Sequence, residues 1–383
     1  MHREPSILIL TASYGEGHVQ AARALHQQFV SQGYKHVEVV DLIKNAYPVI
    51  HSIASKIYLR SPNSARLGLD YYGWGYAATK NSDADATWKK YLDEIGKKEL
   101  VRTIRKCRPD VIINTFPFAA ASAIGKRFDI PVYTVVTDYV MHSLWMHPDT
   151  SHYFVASDQL KHECVTHAVK PDHVTVSGIP VRKAFEQLQT AVTDNQYAKL
   201  FSQNKDILLI VAGSYGVLGK ISSMVRGLIG QGQMEIVVVC GRNEKLKRKL
   251  SAQFASQPTV HIFGFVENIH ELMSIASCIV TKAGGITLTE SLLTKLPILI
   301  FKPFAGQESG NAHFFQANGA ALIAHSPKEL QHQIINLLSD RDRLLYMKQA
   351  MGKMNHGSAA QTIVDRIAGF GFTRWNKIQS SGS

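Results

Sequence analysis

Thr281-Lys282-Ala283-Gly284-Gly285-Ile286-Thr287-Leu288-Thr289-Glu290 is the stretch on which the fold turns. The apolar run Cys278 to Val280 ends in a Gly-Gly turn, and a helix-like segment starts behind it. Glycines let backbone N–H groups approach a phosphate, and the new helix points its positive end there. Glu290 lies about two turns inside that helix, where a carboxylate can accept hydrogen bonds from a ribose. A second polar cluster, Gly306-Gln307-Glu308 with Asn311, follows the next apolar run, Pro297 to Phe301. Together these are the parts needed to hold a nucleotide-sugar. The same pattern also fits an ordinary strand–turn–helix junction with a polar loop after it.

Working outward, strand-like and helix-like segments alternate in both halves of the chain. Strands are expected at Ser6–Leu10, Val37–Asp41, Val111–Asn114, Val132–Val136, Tyr153–Ala156 and Val174–Ser177. In the second half they fall at Ile207–Ala212, Glu235–Cys240, Val260–Phe263, Cys278–Thr281, Pro297–Phe301 and Ala320–Ala324. Amphipathic stretches such as Val19 to Gln32 and Leu330 to Leu338 lie between them. Continuous apolar strands separated by helices predict parallel sheets covered on both faces. The expected fold class is therefore α/β: two doubly wound Rossmann-like domains facing across a cleft, with ligand at the carboxyl ends of the strands. The first domain is expected over 1–180, a polar linker over 181–205 and the second domain over 206–355. A flexible tail is expected over 377–383.

A chain of 383 residues is too long for one core at ~150 residues per domain, which agrees with two. Hydrophobic content of 45% and charged content of 19% are ordinary for a globular protein. No apolar run approaches the ~20 residues that span a bilayer. No signal peptide is read before Ser6. Cys107, Cys164, Cys240 and Cys278 lack CxxC spacing, and they read as thiols in a reducing cytosol.

The net charge of +12 calls for an anionic partner. No nucleic-acid motif is present, so a nucleic-acid partner is not expected. The stretch from Tyr47 to Lys80 mixes Ile50, Ile53, Ile57 and Leu59 with Lys56, Arg60 and Arg66, and carries Tyr58, Tyr71, Tyr72 and Trp74. Apolar side chains, interleaved cations and aromatic anchors are what an interfacial segment requires. A core helix followed by an aromatic-rich loop fits the same residues.

Each half carries a glycine-rich loop after its first strand. The first, Thr11-Ala12-Ser13-Tyr14-Gly15-Glu16-Gly17-His18, begins like a dinucleotide fingerprint, with Asp41 where a ribose-binding acid would sit. The third glycine is Gln20, which removes the best support for a dehydrogenase. His18 at a helix start is expected to be neutral and basic, because the dipole opposes its protonation. A neutral imidazole suits deprotonation of an acceptor hydroxyl, although a lone histidine is often only a polar cap. The second loop, Gly213-Ser214-Tyr215-Gly216-Val217-Leu218-Gly219-Lys220, fails as a P-loop, since Ser214 and Ile221 replace required residues. Its amides still suit a diphosphate without metal. Asp83-Ala84-Asp85 reads as a solvated helix start, and the histidines at 142, 147 and 152 and the His162/Cys164/His167 group match no ligand set. No metal and no cofactor are expected.

Taken together, the motifs resemble the processive diacylglycerol β-glucosyltransferases of Gram-positive bacteria and the plant monogalactosyldiacylglycerol synthases. The resemblance runs from Ser6 to about Ile367. It is carried by Gly15-Glu16-Gly17-His18-Val19-Gln20, Asn114-Thr115-Phe116-Pro117, Thr137-Asp138-Tyr139 with His142, Trp145 and His147, and Ser177-Gly178-Ile179-Pro180-Val181. The second half adds Ala212-Gly213-Ser214-Tyr215-Gly216-Val217, Val239-Cys240-Gly241-Arg242-Asn243, Gly264-Phe265-Val266, the Gly284-to-Glu290 run, and Gly306-Gln307-Glu308 with Asn311-Ala312. It implies the GT-B architecture, with a last helix of about 356–375 crossing back to the first domain.

It further implies UDP-glucose as donor, with Phe265 and Val266 flanking the uracil, Glu290 on the ribose and Gly284, Gly285, Ile286 and Thr287 at the diphosphate. Gln307 and Glu308 would read sugar hydroxyls, with Gly213, Ser214, Gly241 and Asn311 also on the donor side. His18 would be the general base, and Asp138 a supporting catalytic group. Gly17, His142, Trp145, Tyr58, Tyr71, Tyr72 and Trp74 would face the acceptor or the membrane. The implied partners are diacylglycerol, its glucosyl product and an anionic phospholipid surface, with the protein peripheral on the cytoplasmic face. Ala283 departs from relatives that carry proline before Gly-Gly. A UDP-sugar 2-epimerase of the same fold and a non-catalytic UDP-sugar sensor remain as alternatives.

Overall fold

The computed structural model describes residues 4–12, 16–42, 44, 96–187, 195–202, 204–212, 220–231 and 234–380. The interfacial stretch with Tyr58, Tyr71, Tyr72 and Trp74, the Asp83–Asp85 pair, and Gly213 and Ser214 lie outside the described residues.

The chain forms two units. One comprises Met1–Arg182 with His356–Ser383, the other Lys183–Asn355. In the first unit, β1 (Ser6–Thr11), β2 (His36–Asp41), β3 (Val111–Asn114), β4 (Val132–Val135), β5 (His152–Val155) and β6 (Val174–Val176) make one parallel sheet in the order β2-β1-β3-β4-β5-β6. Helices α1 (Glu16–Ser31), α2 (Lys97–Cys107), α3 (Ala120–Arg127) and α4 (Asp158–Thr166) connect the strands. Strands β3, β4 and β5 are buried at every position. A strand covered on both faces gains by being apolar throughout, which explains the continuous runs in its sequence.

The second unit repeats the plan. Strands β7 (Asp206–Val211), β8 (Met234–Val239), β9 (Val260–Phe263), β10 (Cys278–Thr281), β11 (Ile298–Phe301) and β12 (Ala321–Ala324) pair in parallel in the order β12-β11-β10-β7-β8-β9. Counted within the unit, this is the Rossmann strand order. Its helices are α5 (Ile221–Leu228), α6 (Glu244–Gln253), α7 (Ile269–Ile275), α8 (Gly285–Leu293), α9 (Gln307–Ala317), α10 (Pro327–Ser339) and α11 (Arg341–Met354).

The final helix, α12 (Ala359–Ser380), belongs to the first unit. Ala360, Ile363, Val364 and Ile367 join Ile7, Ile9, Leu25 and Phe29 in one apolar cluster. Gln32 donates to Asp365 at 2.8 Å, and Gln28 bonds Gln361, so polar pairs flank the seam with α1. Burying each of those large aliphatic side chains is worth about 1.5–3 kcal/mol. The helix runs on to Ser380, into the stretch from 377 read as flexible; from Phe372 to Ser380 neither glycine nor proline interrupts it.

Each sheet has a point where the chain reverses its direction of winding. In the first it lies between β1 and β3, in the second between β7 and β10. Loops leaving the carboxyl ends of such strand pairs diverge and leave a crevice for ligand.

Candidate active site

At the first switch point the chain leaves β1 at Thr11 and enters α1, whose third residue is His18. His18 is 8% exposed. Its Nδ1 lies 3.0 Å from the Thr115 carbonyl oxygen, just past β3, and 2.8 Å from the Thr137 hydroxyl, just past β4. A carbonyl oxygen only accepts, so Nδ1 carries the ring proton and Nε2 is the basic nitrogen. The Thr115 hydroxyl donates to the Leu10 carbonyl at 3.0 Å and reaches the His18 carbonyl at 3.2 Å, tying β1, β3 and α1 together. Phe116 and Trp145 meet the imidazole edge-on, at 5.4 and 6.0 Å between ring centres.

Burial pushes the His18 imidazolium down to about pH 4, while the bond to the Thr115 carbonyl opposes the shift. The ring is neutral at ordinary pH. From the sequence, this neutrality is expected from the helix dipole; the cause visible in the structure is desolvation by burial.

Asp138 is buried next to Thr137, so it joins the same strand end. His142 caps the short 3-10 turn Ser143–Trp145, its Nδ1 accepting from Leu144 N at 3.2 Å. His147 accepts from Asp149 N in the same manner. Trp145 is buried, and its indole N–H has no hydrogen-bond partner among the described residues. Gly17, next to His18, is half-buried.

At the second switch point β10 ends at Thr281, and α8 starts at Gly285 with Gly284 as its cap. A side chain added at Gly284 would meet nothing within 4 Å, so the turn opens onto space. Gly285 and Ile286 are buried beneath it, Thr287 is half-buried, and Glu290 is buried on the next turn. Asn311 on α9 donates to the Ala283 carbonyl at 3.1 Å, so it holds the turn from behind. Gly306 caps α9 at φ 96°, ψ −136°, a region essentially closed to residues with a Cβ. Gln307 and Glu308 follow in the first turn of α9. Glu308 Oε2 accepts from Phe304 N at 3.3 Å, and its Oε1 lies 3.8 Å from Lys282 Nζ.

Gly241 follows β8 at φ 60° and is buried. Phe265, beyond β9, is 57% exposed, with the Arg242 guanidinium 5.2 Å from its ring centre. Val266 beside it is half-buried. An exposed aromatic at a strand's carboxyl end is a platform on which a base can stack.

Among the described residues, no group of three His, Cys, Asp or Glu side chains is placed to hold a metal ion. The four cysteines are free thiols, and burial pushes Cys164 up to about 12. Reading the sequence missed Thr115 and Thr137 as the groups that set the histidine's tautomer, and Lys282 and Phe304 beside Glu308. A hydroxyl or cation directly after an apolar strand is the one signal that could have flagged them.

Residues 18–181 match the family described as Monogalactosyldiacylglycerol (MGDG) synthase, and residues 207–367 match the Glycosyltransferase family 28 C-terminal domain. The fold is thus that of a glycosyltransferase with two Rossmann-like domains. Proteins named "Processive diacylglycerol beta-glucosyltransferase" from Bacillus cytotoxicus and Bacillus cereus are 38% and 39% identical over 373 residues, covering 96% of this chain and 94% of each relative. The chain belongs to the processive diacylglycerol β-glucosyltransferase family.

Solved structures similar in fold include Acinetobacter baumannii MurG (TM-score 0.61, 19% identity, 96% of this chain and 100% of that one). Another is the UDP-GlcNAc 2-epimerase from Neisseria meningitidis bound to UDP-GlcNAc (TM-score 0.63, 16% identity, 94% and 99%). At these identities the likeness is one of fold.

Proposed function

We propose that this protein transfers glucose from UDP-glucose to the hydroxyl of 1,2-diacylglycerol, and then to its glucosylated product. The observation that carries the reading is a buried, neutral His18 fixed in one tautomer at a switch point, in a chain of this family. His18 Nε2 takes the proton of the acceptor hydroxyl as that oxygen bonds to the anomeric carbon. The bond from that carbon to the diphosphate breaks, and its electron pair leaves with UDP. A single displacement of this kind inverts the anomeric centre. Asp138, buried next to Thr137 at the same strand end, is the supporting catalytic group.

On the donor side, Phe265 and Val266 flank the uracil, Glu290 accepts from the ribose, and the amides of Gly284 to Thr287 receive the diphosphate. Gln307 and Glu308 read the sugar hydroxyls. No metal takes part: loop amides and the positive end of α8 stabilise the departing UDP. No helix among the described residues is long and apolar enough to cross a membrane. The acceptor is a membrane lipid and the chain carries net charge +12, so the protein works peripherally on an anionic cytoplasmic leaflet.

The test is incubation of the protein with labelled UDP-glucose or UDP-galactose and diacylglycerol in anionic or zwitterionic vesicles, with and without EDTA. Label in a glycolipid from UDP-glucose, unchanged by EDTA and favoured by anionic vesicles, is expected. Tight UDP binding with no lipid product would overturn the transferase and leave an epimerase or a sensor.

A further inference from the structure

We infer that Lys282 is a catalytic cation of the donor site, donating from its ammonium group to the β-phosphate of the departing nucleoside diphosphate. The inference rests on the proposed transfer reaction and adds to it a residue that the Gly-Gly turn alone does not supply.

Lys282 is the first residue after β10, two before the cap of α8, so it leaves the sheet at the second switch point. Its side chain is only 18% exposed, and neighbours hold it. The Nζ sits 3.8 Å from the centre of the Phe304 ring and 3.8 Å from Glu308 Oε1. The Glu308 carboxylate is itself anchored, by Phe304 N on its other oxygen. The cation, the ring and the acid thus form one cluster across the loops that follow β10 and β11.

The 3.8 Å ion pair is well beyond the ~2.8 Å of a short charge-assisted hydrogen bond. It holds the ammonium electrostatically near the turn, as a through-space pair would. The open space over Gly284 lies two residues away along the chain.

Charge decides why the lysine is needed. A helix N-terminus offers roughly half an elementary charge. A leaving nucleoside diphosphate carries several negative charges, and more collects on the bridging oxygen as its bond to the sugar breaks. A fixed ammonium is the missing positive partner, and it is placed before the ligand arrives, so no reorganisation is required at the moment of transfer. Among the described residues on this edge, Lys302 follows β11 with its Nζ 5.8 Å from the Phe301 ring centre, and Arg242 stacks on Phe265 beyond β8 and β9, where the base is expected. Lys282 is the cation beside the turn itself.

The test compares wild type, Lys282→Met and Lys282→Arg. Affinities for uridine, UMP and UDP are measured by calorimetry and kcat by glycolipid formation, with thermal unfolding as a control for folding. Lys282→Met is expected to lower kcat by about 100-fold or more, the usual cost of one oxyanion donor. It should weaken UDP by about tenfold or more while uridine affinity stays within twofold, and Lys282→Arg should recover part of both losses. Equal weakening of uridine and UDP would mark the lysine as a structural support and overturn the inference. So would an unchanged kcat and UDP affinity. If the wild type binds UDP and makes no glycolipid, the UDP-over-uridine loss in Lys282→Met still decides the lysine's contact with the diphosphate, and the transferase reading fails separately.

Discussion

The two switch points solve opposite problems with the same scaffold. The first, between β1 and β3, is enclosed and locked: one imidazole is buried, its proton directed to a carbonyl oxygen and two aromatic rings set against it in T-shaped contacts. The second, between β7 and β10, is open and charged: a glycine turn faces space, with Lys282 and its partner Glu308 beside it. Proton transfer needs a single group in one tautomer, and burial supplies that. Holding a polyanion needs many weak donors that tolerate water, and strand-end backbone supplies those. A shared topology therefore says where each ligand binds and nothing about which.

The sharpest way to break this contrast is His18→Ala. Transfer is expected to fall by about 10³-fold or more, while UDP affinity stays within twofold, because the residue serves only the first site. Loss of UDP binding, or retained transfer, in calorimetry and glycolipid assays would erase the division of labour. Next in size is Glu290→Ala, which should weaken UDP by roughly 10–100-fold, the range for a hydrogen bond to a charged group. With 2′,3′-dideoxyuridine diphosphate that loss should vanish; a loss that persists would show that Glu290 supports the helix and leaves the ribose alone.

The third prediction concerns acid. His18 and His152 both sit near pH 4 in the folded protein, chiefly through burial, well below the ordinary value of 6.5. The unfolded chain binds their protons first, so stability is complete above about pH 6.5 and falls as pH drops toward 4. Each histidine costs up to about 1.4 kcal/mol per pH unit in that window. His152→Gln should flatten the slope of thermal stability against pH without altering transfer; an unchanged slope would refute its share.

The smallest effect belongs to Asn311→Ala. Losing the amide that holds the Ala283 carbonyl should cost about 1–2 kcal/mol of stability, seen as a fall of a few degrees in Tm, with a modest loss of UDP affinity. Unchanged values for both would show that the turn holds its own shape.

The fold was legible because strands covered on both faces, such as β3 and β11, are nearly apolar throughout, while the edge strand β2 still alternates valine with polar residues. All six strands of each sheet lie where the runs stand, with ends shifted by a residue or so, as at Asp206–Val211 against Ile207–Ala212. His18 and the Gly284–Glu290 run were legible because a loop or turn at a strand end writes itself into contiguous residues. Their partners were not. Thr115 and Thr137 come to His18 from 97 and 119 residues away, and no local pattern encodes such a meeting. Lys282 and Glu308 meet only because β10 and β11 are neighbours in the sheet. The burial that lowers the histidine's pKa was also hidden, since burial is a property of the fold and cannot be read from one helix.

The return of α12 to the first unit bears on synthesis. The chain leaves that unit after Arg182 and re-enters it at His356, so the second unit is an insertion between two parts of the first. On a ribosome, the residues of Lys183–Asn355 are all in hand before the first unit has its last helix. The apolar face built by Ile7, Ile9, Leu25 and Phe29 waits uncovered until Ile363, Val364 and Ile367 emerge. The unit made first is the one finished last, and a chain cut short near its end spoils its beginning.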